Sequence, residues 1–223
     1  MGPVIGDILP LALGVAISPI PIIAAILMLL SPRARSTSVG FLTGWVLGIV
    51  VVVVIFTLVS SILPEEDSDG SKPVAGVIKL ILGALLLLLA ARQWRSRLRG
   101  DTDPPLPKWM AAIDTMTAVR ALALGVILSG LNPKNLLMGA GAGLAIGSGA
   151  LTVGEDVVVI LIFTVLAAST VLVPVIGYLV ASEKLAAPLE SLRKWLLHNN
   201  ATVMAVLLLV IGVVMIGKGI GSF

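Results

Sequence analysis

The chain has 223 residues, of which 58% are hydrophobic and only 12% are charged. Soluble domains carry a charge on about a quarter of their residues, so this composition excludes a soluble protein and predicts an integral membrane protein. A net charge of +3 is too small to indicate a nucleic-acid partner, and the absence of cysteine excludes disulfides and thiolate metal sites.

Six apolar segments are each long enough to cross a bilayer, which takes about 20 helical residues. The sequence therefore predicts an all-α, multi-pass membrane protein with six transmembrane helices. The first, fourth and fifth segments exceed the minimum length, and we expect Pro19, Pro21, Pro133 and Pro174 to break or kink them. In chain order the segments lie near residues 4–30, 38–63, 74–91, 119–148, 154–181 and 201–221.

Basic residues collect in alternate loops and predict the orientation in the membrane. Eleven of the fifteen lysines and arginines lie in or beside the loops 31–37, 92–118 and 182–200. By the positive-inside rule these loops are cytoplasmic, so we expect both termini on the extracytoplasmic side of the cytoplasmic membrane. In the last of these loops, residues 183–198 place leucines and a tryptophan at helical spacing, which predicts an amphipathic interfacial helix in contact with membrane lipids.

The two halves of the chain share short motifs in the same order. The stretch "ALGVAIS" at 12–18 matches "ALGVILS" at 123–129, and "IFT" at 55–57 recurs at 162–164. Because each half would hold an odd number of spans, the halves would run in opposite directions, as a 3+3 inverted-topology repeat of the kind typical of secondary transporters. The alternative is a membrane bundle with accidental similarity. We assign residues 1–91 to the first repeat, 92–118 to a basic, proline-rich cytoplasmic connector, and 119–223 to the second repeat with its amphipathic insertion at 183–198.

Polar residues accompany the prolines of the first and fourth segments, which we expect to be broken helices. Proline removes a backbone donor and leaves a carbonyl unpaired, and at membrane depth such groups need partners in the protein or in a water-lined cavity. Serine and asparagine side chains can pair with them, and the N–H groups at the start of a new helix attract anions. The predicted substrate-binding residues are therefore Ser18, Pro19, Pro21, Ser129, Asn132, Pro133, Lys134 and Asn135.

Lys134 lies near the middle of the fourth segment, where inserting a lysine costs about 3 kcal/mol. The apolar segments offer no obvious acidic partner, because Asp7, Asp114, Glu155 and Asp156 lie near their ends. We expect the ammonium group to face a cavity, a bound anion or the carbonyls of a broken helix. In the alternative interpretation it is purely structural and only pairs those carbonyls or extends towards the interface.

Glycines recur at intervals of four residues on two of the predicted helices. One set is Gly40, Gly44 and Gly48, and the other lies at positions 139, 143 and 147. Small residues at this spacing let helices approach closely. Static packing, a sliding contact and a homodimer interface are all consistent with such faces.

Motifs for catalysis and cofactor binding are absent from the sequence. It holds no Ser-His-Asp set, phosphate-binding glycine loop or dinucleotide fingerprint, and no metal-ligand spacing within an apolar segment. We therefore expect no enzymatic activity, no cofactor and no bound metal.

These features together resemble a known family. The proline pair of the first segment, "NPK" in the fourth, and six spans as inverted threes resemble the lysine-exporter (LysE) superfamily. Within it, "LALGVAISPIPIIAAILMLLSPRARSTSVGFLTGW" and "GLNPKNLLM" resemble the GAP family of actinobacteria, named for glycopeptidolipid addressing. The resemblance covers essentially the whole chain. It implies export of cell-envelope lipids or glycolipids across the cytoplasmic membrane, alongside large lipid transporters, through a central site framed by Ser18, Pro19, Pro21, Asn132, Pro133 and Lys134.

Three functions remain open at this point. The first is a lipid or glycolipid exporter, or flippase, whose substrate has an anionic head group that Lys134 holds. The second is a small-solute exporter for an amino acid or organic ion, driven by proton exchange through a titratable group such as Lys134 or Asp114. The third is an assembly factor without transport activity, which docks on a larger lipid-export complex through its basic loop and amphipathic helix.

Overall fold

The computed structural model describes residues 1–60, 73–97 and 112–222, and these form helices joined by short turns. A 3₁₀ turn at Ile113–Thr115 and a π-helical turn at Ile127–Leu131 lie between the longer helices. The prediction of an all-α chain is confirmed for the described residues. The α-helices are α1 (Gly2–Ala16), α2 (Pro19–Leu29), α3 (Ala34–Ser60), α4 (Pro73–Arg97), α5 (Ala118–Val126), α6 (Pro133–Gly147), α7 (Val153–Ser182) and α8 (Lys184–Ile220).

Four of these helices, α3, α4, α7 and α8, are long and apolar enough to cross a membrane. The pairs α1–α2 and α5–α6 also qualify when each pair is taken as one bent span, so the described residues hold four to six candidate spans. These helices overlap the six apolar segments predicted from the sequence, although α8 begins before the last of them. The chain is therefore a multi-pass membrane protein.

The first and fourth candidate spans are broken immediately before a proline. Their axes bend by 52° between α1 and α2, and by 65° between α5, with its π turn, and α6. Ser18 (φ −103°, ψ 106°) and Asn132 (φ −68°, ψ 121°) have extended backbones at the two breaks. The ring of Pro19 or Pro133 disfavours the helical conformation for the residue before it, which explains both positions. The predicted breaks at these two prolines are confirmed.

Pro174 does not break its helix, because α7 continues through this residue. Transmembrane helices tolerate proline where the freed backbone groups find other partners. The helical stretch Val153–Ile220 changes direction at Ala181 instead, where φ is −141° and ψ is 53°. The chain thus bends where the apolar segment ends and polar residues begin.

The predicted amphipathic segment 183–198 is helical, but it is the first part of α8 rather than a separate helix. Leu189 and Leu196 on this segment are buried, whereas Leu192 and Trp195 are exposed. Arg193 pairs with Glu190 on the same segment, with a nitrogen–oxygen distance of 2.6 Å. The basic connector predicted at 92–118 lies largely outside the described residues, which omit 98–111.

Glycine faces bring α3 into backbone contact with both halves of the fourth span. A Cβ added at Gly44 would lie 2.0 Å from the Leu122 carbonyl oxygen of α5. A Cβ added at Gly143 of α6 would lie 2.5 Å from the Val53 carbonyl oxygen of α3. Both glycine sets predicted from the sequence therefore pack helices of this same chain against one another.

The remaining helices pack around the first span and along the chain's last helix. α1 contacts α6 and α8 through Gly14, whose added Cβ would meet Met138 and Ile211 side chains. α4 packs along α8, where Gly83 faces Ile216. These contacts place the end of α1 in the interior, next to the beginning of α6.

Candidate functional site at the two broken helices

The two breaks lie in contact with each other inside the bundle. The Lys134 side chain begins in the first turn of α6 and ends at the C-terminus of α1, where its Nζ donates to the Gly14 carbonyl oxygen at 2.6 Å. The same nitrogen donates to Ser18 Oγ, at the residue that separates α1 from α2. The carbonyls of a broken helix were one of the three surroundings expected for Lys134, and the contact with Gly14 is of this kind.

The Gly14 carbonyl is available to Lys134 because the helix ends there. In a continuous helix it would accept from the backbone N–H of Ser18, but that N–H donates to Ala16 instead, at 2.9 Å. The C-terminal end of a helix also carries a partial negative charge, which favours a cation at this position. The break in α1 thus creates the acceptor that the lysine uses.

Among the side chains whose burial the structure describes, Lys134 is the buried one that carries a formal charge. Its side chain is 3% exposed, and none of the ion pairs among the described residues joins it to a carboxylate. A buried cation without a counter-ion is costly, and neutral acceptors offset only part of that cost. When the Lys134 amine is protonated, no ion pair with a described carboxylate therefore balances its charge.

A chain of hydrogen bonds extends from Lys134 to the second break. Ser18 Oγ donates to Asn135 Oδ1 at 3.1 Å, and Asn135 Nδ2 donates to the Leu128 carbonyl oxygen in the π turn at 2.9 Å. Asn132 caps α6, where its side-chain oxygen accepts from the backbone N–H of Lys134 at 3.1 Å. These side chains satisfy backbone groups that the two breaks release, as the sequence led us to expect.

The other predicted site residues stand beside this network. Ser129 is 2% exposed and donates to the Gly125 and Val126 carbonyl oxygens of its own helix, and its Oγ lies against Gly48 of α3. Pro19 and Pro21 lie in the first turn of α2 and are buried, whereas Pro133 begins α6 and is exposed. The prolines shape the breaks, and Ser129 belongs to the contact with α3.

The α2 N-terminus is a poorer anion site than the sequence suggested. Proline has no backbone N–H, so Pro19 and Pro21 leave Ile20 as the single donor among the first three residues of α2. At the start of α6, Pro133 has no donor and the N–H of Lys134 is already bonded to Asn132. The attraction for an anion therefore comes mainly from the Lys134 ammonium.

Three residues that contribute to the site were not predicted from the sequence. Gly14 and Leu128 contribute backbone carbonyls, which no sequence motif distinguishes. Thr170 of α7 donates from its Oγ1 to the Ala16 carbonyl oxygen at 2.5 Å and so ties the end of α1 to a third helix. A single threonine in an apolar helix gave no signal of this role.

The hydrogen bonds that the Lys134 ammonium makes with described residues leave one of its N–H donors for a further acceptor. A lysine ammonium has three N–H donors, and two of them are directed at Gly14 and Ser18. Among the described residues, no group of three histidine or acidic side chains is placed to hold a metal ion. The chemistry that the site offers is recognition of an acceptor or anion.

Comparison with known proteins places this chain in one family. No curated protein and no solved structure matches it. The family described as "Sap, sulfolipid-1-addressing protein" (SfLAP) matches residues 8–221, a range that includes all the residues of the two breaks. Because the match covers nearly the whole sequence, the chain belongs to the SfLAP family of sulfolipid-1-addressing proteins.

Proposed function

We propose that this protein exports or flips a cell-envelope lipid or glycolipid with an anionic head group across the cytoplasmic membrane. The observation that carries the proposal is the buried ammonium of Lys134, which has neutral partners and no carboxylate partner among the side chains that the structure describes. The family is named for addressing a sulfolipid, whose class of head group would supply the missing negative charge. The resemblance to the GAP family and the LysE superfamily points in the same direction.

The surface beside the two breaks suits a substrate whose tail stays in lipid. Leu13 and Ile17 at the end of α1 are 52% and 37% exposed, and Leu131 at the end of the π turn is 70% exposed. A head group at Lys134 would therefore be close to apolar, outward-facing surface on both broken helices. With this surface next to the site, the acyl chains of a substrate can remain in the hydrocarbon while only its polar head group enters the protein.

The proposed transporter is a 3+3 inverted repeat with residues 1–91 and 119–223 as its halves. Contacts between the halves support this arrangement, because α3 packs on the broken fourth span while α7 packs on the broken first span through Thr170. The third span of each half, α4 and α8, also pack together. A two-fold axis in the membrane plane would relate these contacts. The basic loops would then be cytoplasmic and both termini extracytoplasmic.

The proposal is tested by lipid flipping in proteoliposomes that contain the purified protein. The probe is a fluorescently labelled cerebroside sulfate, and the fraction that reaches the outer leaflet is measured by chemical quenching. We expect the protein to accelerate flipping and Lys134→Met to abolish the acceleration. The matched control is Lys79→Met, which changes a lysine that contacts Ser222 outside the site.

Two other outcomes would replace the proposed function. Efflux of a radiolabelled amino acid without lipid flipping would favour a small-solute exporter. Absence of both activities, together with a stable partner that copurifies with the protein, would favour an assembly factor in a larger lipid-export complex. Normal flipping by Lys134→Met would refute the assignment of the site.

A further inference from the structure

Lys134 links α6 to the first broken span, and these two parts of the bundle differ in how tightly they are packed. Its backbone belongs to α6, whereas both acceptors of its ammonium, Gly14 and Ser18, belong to the first broken span. We call these two hydrogen bonds the lysine contact. Whether the lysine contact can open depends on what else holds α1 to α6 and what holds α6 to the rest of the chain.

α6 is firmly packed against α3. An added Cβ at Gly143 or Gly147 would meet backbone oxygens of α3, at 2.5 Å from Val53 and 2.5 Å from Thr57. The same is true of α5, since a Cβ at Gly44 would meet the Leu122 carbonyl oxygen. Backbone atoms cannot move aside as side chains do, so α3, α5 and α6 behave as one unit.

α1 meets α6 through flexible side chains instead. At Gly14, the atoms nearest to an added Cβ are Sδ and Cε of Met138 and Cδ1 of Ile211. At Gly141 of α6 the nearest atom is Cδ1 of Leu11, at 3.3 Å. Methionine and leucine ends adapt to small displacements, so the directional links between the first broken span and α6 are the lysine contact and the hydrogen bond from Ser18 to Asn135.

We propose that the lysine contact closes the site when it is empty and that an anionic head group opens it by competing for the Lys134 ammonium. This inference rests on the proposed function. The third N–H of the ammonium can meet an anion first. A full negative charge then binds the ammonium more strongly than the Gly14 carbonyl and the Ser18 hydroxyl do. Release of these two acceptors removes the lysine contact and leaves the weaker, uncharged hydrogen bond from Ser18 to Asn135, so α1 can move away from the α3–α5–α6 unit. A neutral head group has no charge with which to displace them.

The test measures the distance between α1 and the α3–α5–α6 unit in lipid vesicles. The chain has no cysteine, so paired cysteines introduced at exposed positions can be spin-labelled specifically. Leu13→Cys with Leu131→Cys reports on the lysine contact, because these side chains are 52% and 70% exposed and lie outside the network. Leu47→Cys on α3 with Ile127→Cys at the start of the π turn is the matched control pair, because both side chains are about half exposed and neither belongs to the first broken span.

We expect cerebroside sulfate in the vesicles to lengthen and broaden the Leu13–Leu131 distance, whereas uncharged cerebroside, which differs only by the sulfate, leaves it unchanged. The Leu47–Ile127 distance stays constant in both lipids. Lys134→Met lengthens the first distance without any added lipid. An equal effect of both lipids, or a Lys134→Met distribution that superimposes on the native one, overturns the inference.

Flipping measured in the same vesicles separates this inference from the proposed function. If cerebroside sulfate lengthens the Leu13–Leu131 distance but is not flipped, the proposed role of the lysine contact stands and lipid export is refuted. If cerebroside sulfate is flipped while the Leu13–Leu131 distance stays unchanged, lipid export stands and the proposed role of the lysine contact is refuted. The lipid comparison uses native Lys134, so it stands even if Lys134→Met fails to fold.

Discussion

Gly44 offers a direct test of how tightly α3 packs on the fourth span. A Cβ at this position would lie 2.0 Å from the Leu122 carbonyl oxygen, 2.8 Å from its carbonyl carbon and 3.0 Å from its Cα. Ordinary contact begins at 3.4 Å, so Gly44→Ala requires α3 and α5 to separate by about 1.4 Å in a close-packed interior. Overpacking costs about 1–3 kcal/mol, and alanine gains about 1 kcal/mol over glycine within a helix. Since two backbones must shift, we expect a net loss of about 1–2 kcal/mol in the free energy of unfolding.

The assay is reversible unfolding in detergent micelles with increasing dodecyl sulfate, followed by circular dichroism. The control is Gly217→Ala in α8, where an added Cβ has nothing within 4 Å. This control should gain about 0.5–1 kcal/mol because alanine is the better helix former. If Gly44→Ala is as stable as Gly217→Ala, α3 and α5 are not held in backbone contact, and the rigid α3–α5–α6 unit is refuted.

Three further contacts are tested by substitution with the same unfolding measurement. Thr170→Val keeps the side-chain shape but removes the hydrogen bond to the Ala16 carbonyl, and should cost about 1 kcal/mol; no loss would mean that this bond does not stabilise the fold. Asn132→Ala removes the N-cap of α6 and should also cost about 1 kcal/mol, whereas Asn132→Ser keeps an acceptor and should cost less; equal losses would contradict the capping role. Asp7→Asn removes the ion pair with Lys218, whose side chains are 37% and 28% exposed. Its loss should stay below about 1 kcal/mol and shrink at high salt, and a larger, salt-independent loss would contradict a screened surface pair.

The breaks in the spans were predictable from the residues that precede the prolines. Pro19 and Pro133 follow Ser18 and Asn132, and a new helix begins at each. Serine and asparagine are favoured at helix N-termini, whereas an apolar residue offers no acceptor to the first turn. Asn132 makes this capping hydrogen bond, while the Ser18 side chain bonds to Lys134 and Asn135 instead. Attention to the preceding residue would have excluded the break at Pro174. The prolines that the helices tolerate all follow apolar residues: Pro10 after Leu9, Pro174 after Val173 and Pro188 after Ala187.

The sequence allowed us to predict the type of group that Lys134 contacts, but not which residues supply it. Carbonyls of a broken helix were one of three expected surroundings, but Gly14 lies 120 residues away in the chain, and its role depends on how α1 crosses α6. Thr170 was unpredictable for a different reason. A threonine in an apolar helix commonly bonds to the carbonyl four residues earlier, as Thr57 does with Val53. Its sequence environment does not reveal that it reaches α1 instead.

The lysine contact also has a consequence for the order in which the chain enters the membrane during synthesis. Its acceptors lie 116 and 120 residues before Lys134, so the ribosome delivers the first broken span well ahead of the fourth. Ready-made acceptors offset part of the ~3 kcal/mol that a lysine costs the insertion machinery. The N-terminal half thus supplies the hydrogen-bond acceptors that the lysine of the C-terminal half needs when it enters the membrane. A C-terminal half translated on its own would present the same lysine to the translocon without these acceptors.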